Sequence, residues 1–129
     1  MIKKTLVIDG NNFSNLSTFY DEVEKALTSN SVIGRNLDAF NDILRGGFGK
    51  FEYDEPIIIK WANSGKSRTD LSWDETIHYI ESKLERCHPS NKESVKKELE
   101  LSKKKEGLTI FDIILEIIAE NDHVTLELC

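Results

Sequence analysis

The chain has 129 residues and a formal net charge of −6 at pH 7, with 39% hydrophobic and 31% charged residues. This length suits one domain, which we expect to span residues 1–129 and to fold without a metal or a disulfide to hold it together. The negative charge argues against nucleic acid or an anionic membrane surface as the partner, since both favour basic proteins, and no apolar run reaches the roughly 20 residues of a membrane-spanning helix.

The first half of the chain predicts a strand, two helices and a second strand. Residues 5–8 are apolar and rich in β-branched side chains, and turn residues follow them. From Ser17, a suitable N-cap, the apolar residues recur at helical spacing as far as residue 27. A second helix is predicted over residues 36–45, and residues 56–61 form the second apolar run.

The second half predicts three more helices and a last strand. Ser72 and Glu75 have the spacing of a capping box in front of an amphipathic helix. Residues 91–106, in which lysine and glutamate dominate, indicate a solvated surface helix, and residues 110–120 indicate an apolar one. Apolar and polar residues then alternate over residues 124–128, as in a half-buried strand.

The order of these elements predicts the fold class. It is β-α-α-β-α-α-α-β, with residues 62–70 forming a polar loop after the second strand. Strands joined by helical crossovers pair in parallel. We therefore expect an α/β fold, with a three-stranded parallel sheet packed with helices.

The cysteines and the N-terminus favour a reducing compartment. Cys87 and Cys129 are the only cysteines, and a chain with this apolar content does not need a disulfide. The first residues include lysines but no extended apolar stretch and no small-residue cleavage site. We expect two free thiols and a cytoplasmic protein that is monomeric without its partner.

No group of residues predicts catalysis or metal binding. His78, His88 and His123 are scattered, and no spacing is typical of a zinc site. The sequence contains no nucleophile elbow, P-loop or dinucleotide-binding motif. We therefore expect no enzyme activity, no metal and no cofactor.

The helix predicted over residues 36–45 has the most informative surface. Asp38 and Asp42 are four residues apart, so they stack on its polar side together with Asn41 and Arg45. Such a like-charge pair costs a few tenths of a kcal/mol. The pair is either an ordinary solvated face or one that is held for a positively charged partner.

Several segments resemble the barstar family of ribonuclease inhibitors. They are residues 7–10, the pattern Gly-x-Asn-Leu-Asp-Ala-x-x-Asp-x-Leu over residues 34–44, and the stretch from Glu116 to residue 126. Residues 62–105 have no clear counterpart in the resemblance, which makes them a predicted helical insertion into a barstar-like domain.

The resemblance implies both a fold and a mode of action. Barstar-like proteins have a parallel three-stranded sheet surrounded by helices, and they bind a basic ribonuclease and plug its active site. Asp38 and Asp42 would face the enzyme, with Asp42 in the place of a substrate phosphate. The other implied partner-binding residues lie before the second helix, along it, after it and on the last helix: Val32, Ile33, Gly34, Asn36, Asn41, Arg45, Gly46 and Glu116.

The sequence departs from the family where aromatic residues are expected. Val32 and Ile33 replace an aromatic pair, and Asn41 and Gly47 each replace a tryptophan. Aromatic side chains are common anchors in protein interfaces. The departures therefore predict a diverged toxin nuclease as partner and not the founding ribonuclease of the family.

Two alternatives to an inhibitor remain. The first is a barstar-fold interaction or regulatory module without ribonuclease inhibition, which the missing aromatic residues favour. The second is a small hydrolase that uses the acidic pair or a histidine, although no nucleophile–base pair is visible in the sequence.

Overall fold

A computed structural model describes residues 2–29 and 31–129 and, within them, contains three strands and six helices. The strands are β1 (Lys4–Asp9), β2 (Ile57–Ala62) and β3 (Val124–Leu128). The helices are α1 (Leu16–Leu27), α2 (Leu37–Arg45), α3 (Ser64–Asp70), α4 (Trp73–Arg86), α5 (Lys92–Lys103) and α6 (Ile110–Ala119).

The three strands form one parallel sheet in the order β1-β2-β3. Ile57 in the central strand pairs with Lys4 on one side and Val124 on the other. Each strand is connected to the next through helices, as parallel pairing requires. The predicted α/β fold, with its three-stranded parallel sheet, is confirmed.

The prediction of a polar loop over residues 62–70 is wrong, because α3 occupies most of that segment. Tertiary contacts stabilise this short helix. The Lys66 ammonium donates hydrogen bonds to the carbonyl oxygens of Gly10 and Phe13, at 3.1 and 2.8 Å. The Trp61 indole donates to the Ser67 hydroxyl at 3.0 Å, in the core. Gly10 and Phe13 are far from α3 in the sequence, and only Trp61 is near it. The local composition therefore did not reveal the helix.

One predicted N-cap, Ser17, and one predicted capping box, that of Ser72 and Glu75, are also wrong. Helix α1 begins at Leu16, and its N-cap is Asn15, whose side chain forms a capping box with Thr18. Ser72 is at the N-cap position of α4, but its side chain makes no capping hydrogen bond. Glu75 instead accepts a hydrogen bond of 2.8 Å from the Leu16 backbone N–H. The carboxylate therefore satisfies the first turn of a different helix.

The core lies on one face of the sheet. The side chains of Ile57, Ile59 and Trp61 in β2 are fully buried there. Trp61 stacks on Phe19 of α1 at 5.8 Å between ring centroids and packs against Phe111 of α6 at 5.2 Å. The central strand and these two helices thus form a rigid base for α2.

Helices α4 and α5 pack against each other and form a largely polar pair. As predicted, α5 is mostly solvated, with only Val95 and Ser102 buried. Cys87, just after α4, and Cys129 are both free, also as predicted. Among the helices that the structure describes, none combines the length and the apolar character needed to cross a membrane.

Candidate protein-binding site

Helix α2 carries the predicted acidic pair, and its ends are set by its own sequence. The Asn36 side chain accepts a hydrogen bond of 2.7 Å from the Ala39 backbone N–H. Asn36 is therefore the N-cap of this helix, as predicted. The helix ends at Arg45, and its C-cap is Gly46, which has a φ of 99° and donates its N–H to the Ile43 carbonyl. The predicted bounds of this helix are therefore confirmed.

One side of α2 is fixed in the core and the other faces solvent. Phe40, Ile43 and Leu44 are almost completely buried, and Leu37 is half-buried. Asp38, Asp42 and Arg45 are exposed. Because the buried side chains hold the helix against α1 and α6, the two carboxylates project from a fixed backbone.

The acidic pair forms no ion pair in the described part of the chain. Neither Asp38 nor Asp42 takes part in an ion pair there, and neither carboxylate accepts a side-chain hydrogen bond. Asp38 lies in the first turn, where the helix dipole favours an acid, while Asp42 lies nearer the opposite end. Both carboxylates can therefore accept hydrogen bonds from a partner.

In the loop before α2, the two residues at the positions of the aromatic pair, Val32 and Ile33, differ in burial. The Val32 side chain is 92% exposed, whereas Ile33 is only 8% exposed and belongs to the core cluster. Gly34 is exposed, and a Cβ atom there would lie 3.2 Å from the Ala39 Cβ atom. Val32 can thus contact a partner, and Ile33 anchors the loop.

Asn41 is engaged inside the molecule. It is half-buried, and its side-chain oxygen accepts a hydrogen bond of 2.9 Å from the Asn121 amide. Gly46 is also buried, beneath the loop that follows α2. Of the predicted contact residues in the helix and at its end, Asp38, Asp42 and Arg45 offer the most accessible side chains.

Two residues at the end of α2 were missed by the sequence reasoning, namely Tyr53, which follows the helix, and His123, which precedes β3. Tyr53 is 64% exposed, and the next residue, Asp54, donates its N–H to the Arg45 carbonyl at 2.8 Å, which places this segment at the end of α2. The His123 Nε2 atom lies 2.7 Å from the Leu44 carbonyl oxygen and caps the last turn. A lone tyrosine within an acidic, non-periodic segment was the available signal for Tyr53.

Glu116 lies on α6, the helix that packs against α2, and its side chain is exposed. Its carboxylate is therefore accessible to solvent on a helix next to α2. The three histidines remain apart from each other. Among the described residues, no three His, Cys, Asp or Glu side chains converge where a metal ion could bind.

A protein-family model described as "Barstar (barnase inhibitor)" matches residues 3–102. No curated protein matches the chain. The matched range includes β1, α1, β2 and the acidic helix α2, while α6 with Glu116 and β3 lie beyond it. The matched range also includes most of residues 62–105. That these residues form an insertion into a barstar-like domain stays a prediction. Because the match covers well over half of the sequence, the chain belongs to the barstar family.

Proposed function

We propose that the chain inhibits a basic ribonuclease by binding over its active site, and that it acts in the cytoplasm as an antitoxin or immunity protein. One observation supports this most directly. Asp38 and Asp42 are exposed and form no ion pair with any described residue, and they lie on a helix whose opposite side is buried.

The chemistry of the target explains why carboxylates would suffice. A ribonuclease active site binds a phosphate group with positively charged and hydrogen-bonding side chains. A carboxylate held in the same place accepts the same hydrogen bonds. Asp42 would take the position of the phosphate, and Asp38 would bind at its side.

The rigidity of α2 favours tight binding. Its capped ends and buried face keep both carboxylates in place before the partner arrives, which reduces the entropy lost on association. The net charge of −6 also attracts a basic enzyme over a long range and accelerates encounter.

The surface around the acidic pair is larger than the helix. A stable interface buries about 800 Å² on each partner, more than one short helix offers. Val32 and Asn36 before α2, Arg45 at its end and Tyr53 after it are all exposed and would extend the contact. Tyr53 would supply an aromatic anchor that the departures from the family pattern otherwise remove.

A second function is an interaction or regulatory module without ribonuclease inhibition. One observation favours it: positions 32, 33, 41 and 47 carry no aromatic side chain. Of these residues, Ile33 is in the core and Asn41 is bound to Asn121. The contacts of such a module would still be expected around α2, but its partner would not be a nuclease.

Capture of the partner distinguishes these functions. The wild-type chain, Asp42→Ala and Glu100→Ala are immobilised and exposed to extract of the source cell, and mass spectrometry and an RNA-degradation assay are applied to the eluates. Glu100→Ala is the matched control, because Glu100 is an exposed acid on α5 that forms no ion pair with any described residue, and its loss changes the net charge equally.

An inhibitor should retain a basic protein whose nuclease activity appears only after dissociation. Wild type and Glu100→Ala should retain it, and Asp42→Ala should not. Purified nuclease should then be inhibited at a one-to-one ratio, with an association rate that falls as salt rises. If wild type and Asp42→Ala recover the same protein and it has no nuclease activity, the interaction module is the correct function.

A further inference from the structure

A groove of about 410 Å³ lies between α1, α4 and the residues that lead into α2. It borders the candidate site directly, since Arg35, Asn36 and Leu37 form part of its wall. Helix α4 forms the opposite wall and lies within the predicted insertion, so the groove depends on that segment.

Two arginines, Arg35 and Arg86, and one carboxylate, that of Glu75, line the groove, in a chain whose net charge is negative. Arg86 takes part in no ion pair among the described residues, and its Nε atom donates only to the Ser82 carbonyl of its own helix. Arg35 is paired with Asp21 at the outer edge but keeps about half of its side chain exposed. At least one guanidinium group is thus available to a ligand.

The carboxylate in the groove is already occupied. One oxygen of Glu75 accepts the Leu16 N–H at 2.8 Å, and the other lies 3.3 Å from the His78 Nδ1 atom. Only 12% of the Glu75 side chain is exposed. Glu75 and Arg86 form no ion pair, so the carboxylate leaves the Arg86 guanidinium without a partner of opposite charge among the described residues.

The remaining walls combine apolar surface with hydrogen-bond donors. Tyr20 and Tyr79 line the groove together with Leu16 and Leu37. Burial raises the pKa of Tyr20 well above its ordinary value of 10.0, despite the lowering effect of Arg35 and Arg86. The hydroxyl therefore stays protonated and can donate a hydrogen bond. Arginine and tyrosine are also the residue types that most often dominate binding energy in protein interfaces.

We propose that this groove binds an acidic segment of the protein partner, in which a glutamate or aspartate pairs with Arg86 and a neighbouring apolar side chain packs on Tyr79 and Leu37. The partner is the nuclease of the proposed function, and this inference rests on that function only for the partner's identity. A mainly apolar ligand would leave the Arg86 guanidinium unpaired, and the arginines would repel a cationic one.

The groove would determine specificity. The partner surface must be basic where it meets Asp42 and acidic where it meets Arg86, so opposite charges have to match at two places. A basic nuclease without the acidic segment would place its own cations against Arg35 and Arg86. Such like-charge contacts weaken complexes with incorrect partners. The groove would therefore contribute more to specificity than to affinity.

The test uses a defined probe on the full-length chain. The peptide acetyl-Ala-Glu-Tyr-Glu-Ala-amide is titrated into the ¹⁵N-labelled protein at millimolar concentrations, beside the same peptide with glutamine at both glutamate positions. Arg86→Glu, Arg86→Gln and Lys97→Glu are compared with wild type. Lys97→Glu is the matched control, because Lys97 is exposed on α5 and its reversal changes the net charge as Arg86→Glu does.

We expect the glutamate peptide to shift the amide resonances of residues that line the groove. Arg86→Glu and Arg86→Gln should weaken this binding at least about tenfold, as expected for the loss of a charge-assisted contact. Lys97→Glu and Asp42→Ala should bind as wild type does. Both Arg86 variants should fold, because the side chain they replace is exposed.

The inference is overturned if the glutamate peptide causes no saturable shifts in the groove, if the glutamine peptide binds equally well, or if Arg86→Glu matches Lys97→Glu. These failures differ from failure of the proposed function. Ribonuclease inhibition that depends on Asp42 would stand without the groove. Conversely, a groove that binds the peptide would remain if the chain inhibits no nuclease.

Discussion

The side-chain amide of Asn121 donates a hydrogen bond of 2.9 Å to the side-chain oxygen of Asn41, and so connects the end of α6 to the acidic helix. The same amide donates to the Ile117 carbonyl at 2.9 Å, and Asn121 is only 6% exposed. A polar contact between two helices thus adds to the apolar packing that orients Asp38 and Asp42.

This contact predicts a measurable loss of stability in Asn121→Ala. The variant leaves the Asn41 oxygen and the Ile117 carbonyl without their donor, which should lower the free energy of unfolding by about 1–3 kcal/mol. Urea denaturation gives the value. The control is Asp122→Ala at the next residue, whose side chain is exposed. This substitution should change the free energy of unfolding by less than about 0.5 kcal/mol. Equal effects of the two substitutions would show that the contact is not important.

Asp42→Asn should make the free protein slightly more stable. It removes repulsion from Asp38 and an unfavourable acid in the second half of α2, for a gain of about 0.2–0.5 kcal/mol. Asp38→Asn relieves the same repulsion but loses a favourable interaction with the helix N-terminus, so we expect no net gain. Chemical denaturation of both variants at low salt measures the difference. A loss of stability in Asp42→Asn would contradict the view that this residue is kept for binding.

Gly46 and Gly47 should differ sharply in their tolerance of a side chain. Both have a positive φ, of 99° and 90°. A Cβ atom at Gly46 would lie 2.2 Å from the Glu52 carbonyl oxygen, whereas at Gly47 it would meet nothing within 4 Å. We expect Gly46→Ala to lower the free energy of unfolding by about 3 kcal/mol or more, because backbone strain and a steric clash add up. Gly47→Ala should lower it by about 1 kcal/mol, because only backbone strain acts there. Thermal or urea denaturation should separate them, and similar values would contradict the prediction.

Asp9 should contribute to stability only where its carboxylate is ionised. The Asn11 backbone N–H and the Asn63 side-chain amide donate to it at 2.9 and 2.8 Å and hold its pKa below the ordinary value of 3.8. Because the folded pKa is the lower one, this stabilisation is complete well above pH 3.8 and is lost as the pH falls through the folded value.

Asp9→Asn should therefore be less stable than wild type at neutral pH, and the two proteins should approach each other in stability as the pH falls below 3.8 and the Asp9 carboxylate is protonated. Urea midpoints for both proteins across this range give the comparison. A difference that stays constant with pH would show that the carboxylate is not responsible for it.

Hydrophobic periodicity predicted most of the fold because each element carries its own pattern. The buried residues of β2 and the apolar side of α2 are local features, and Asn36 caps α2 with an atom three residues from its donor. The parallel sheet followed from the order of strands and helices. Asp38 and Asp42 were identified for the same reason, since a spacing of four residues places two side chains on one side of a helix.

Contacts between distant residues decided the rest. Glu75 has the spacing of a local cap but accepts the N–H of Leu16, and α3 depends on the bonds of Lys66 to Gly10 and Phe13. Tyr53 is exposed beside α2 because of how its loop folds back.

The groove shows the same dependence on the tertiary structure. It exists only because Arg35 and Arg86, 51 positions apart in the sequence, line one space. A sequence pattern reports the neighbours that the chain geometry imposes within a helix or strand. Which side chains meet across elements depends on how those elements pack together, and no local spacing records it.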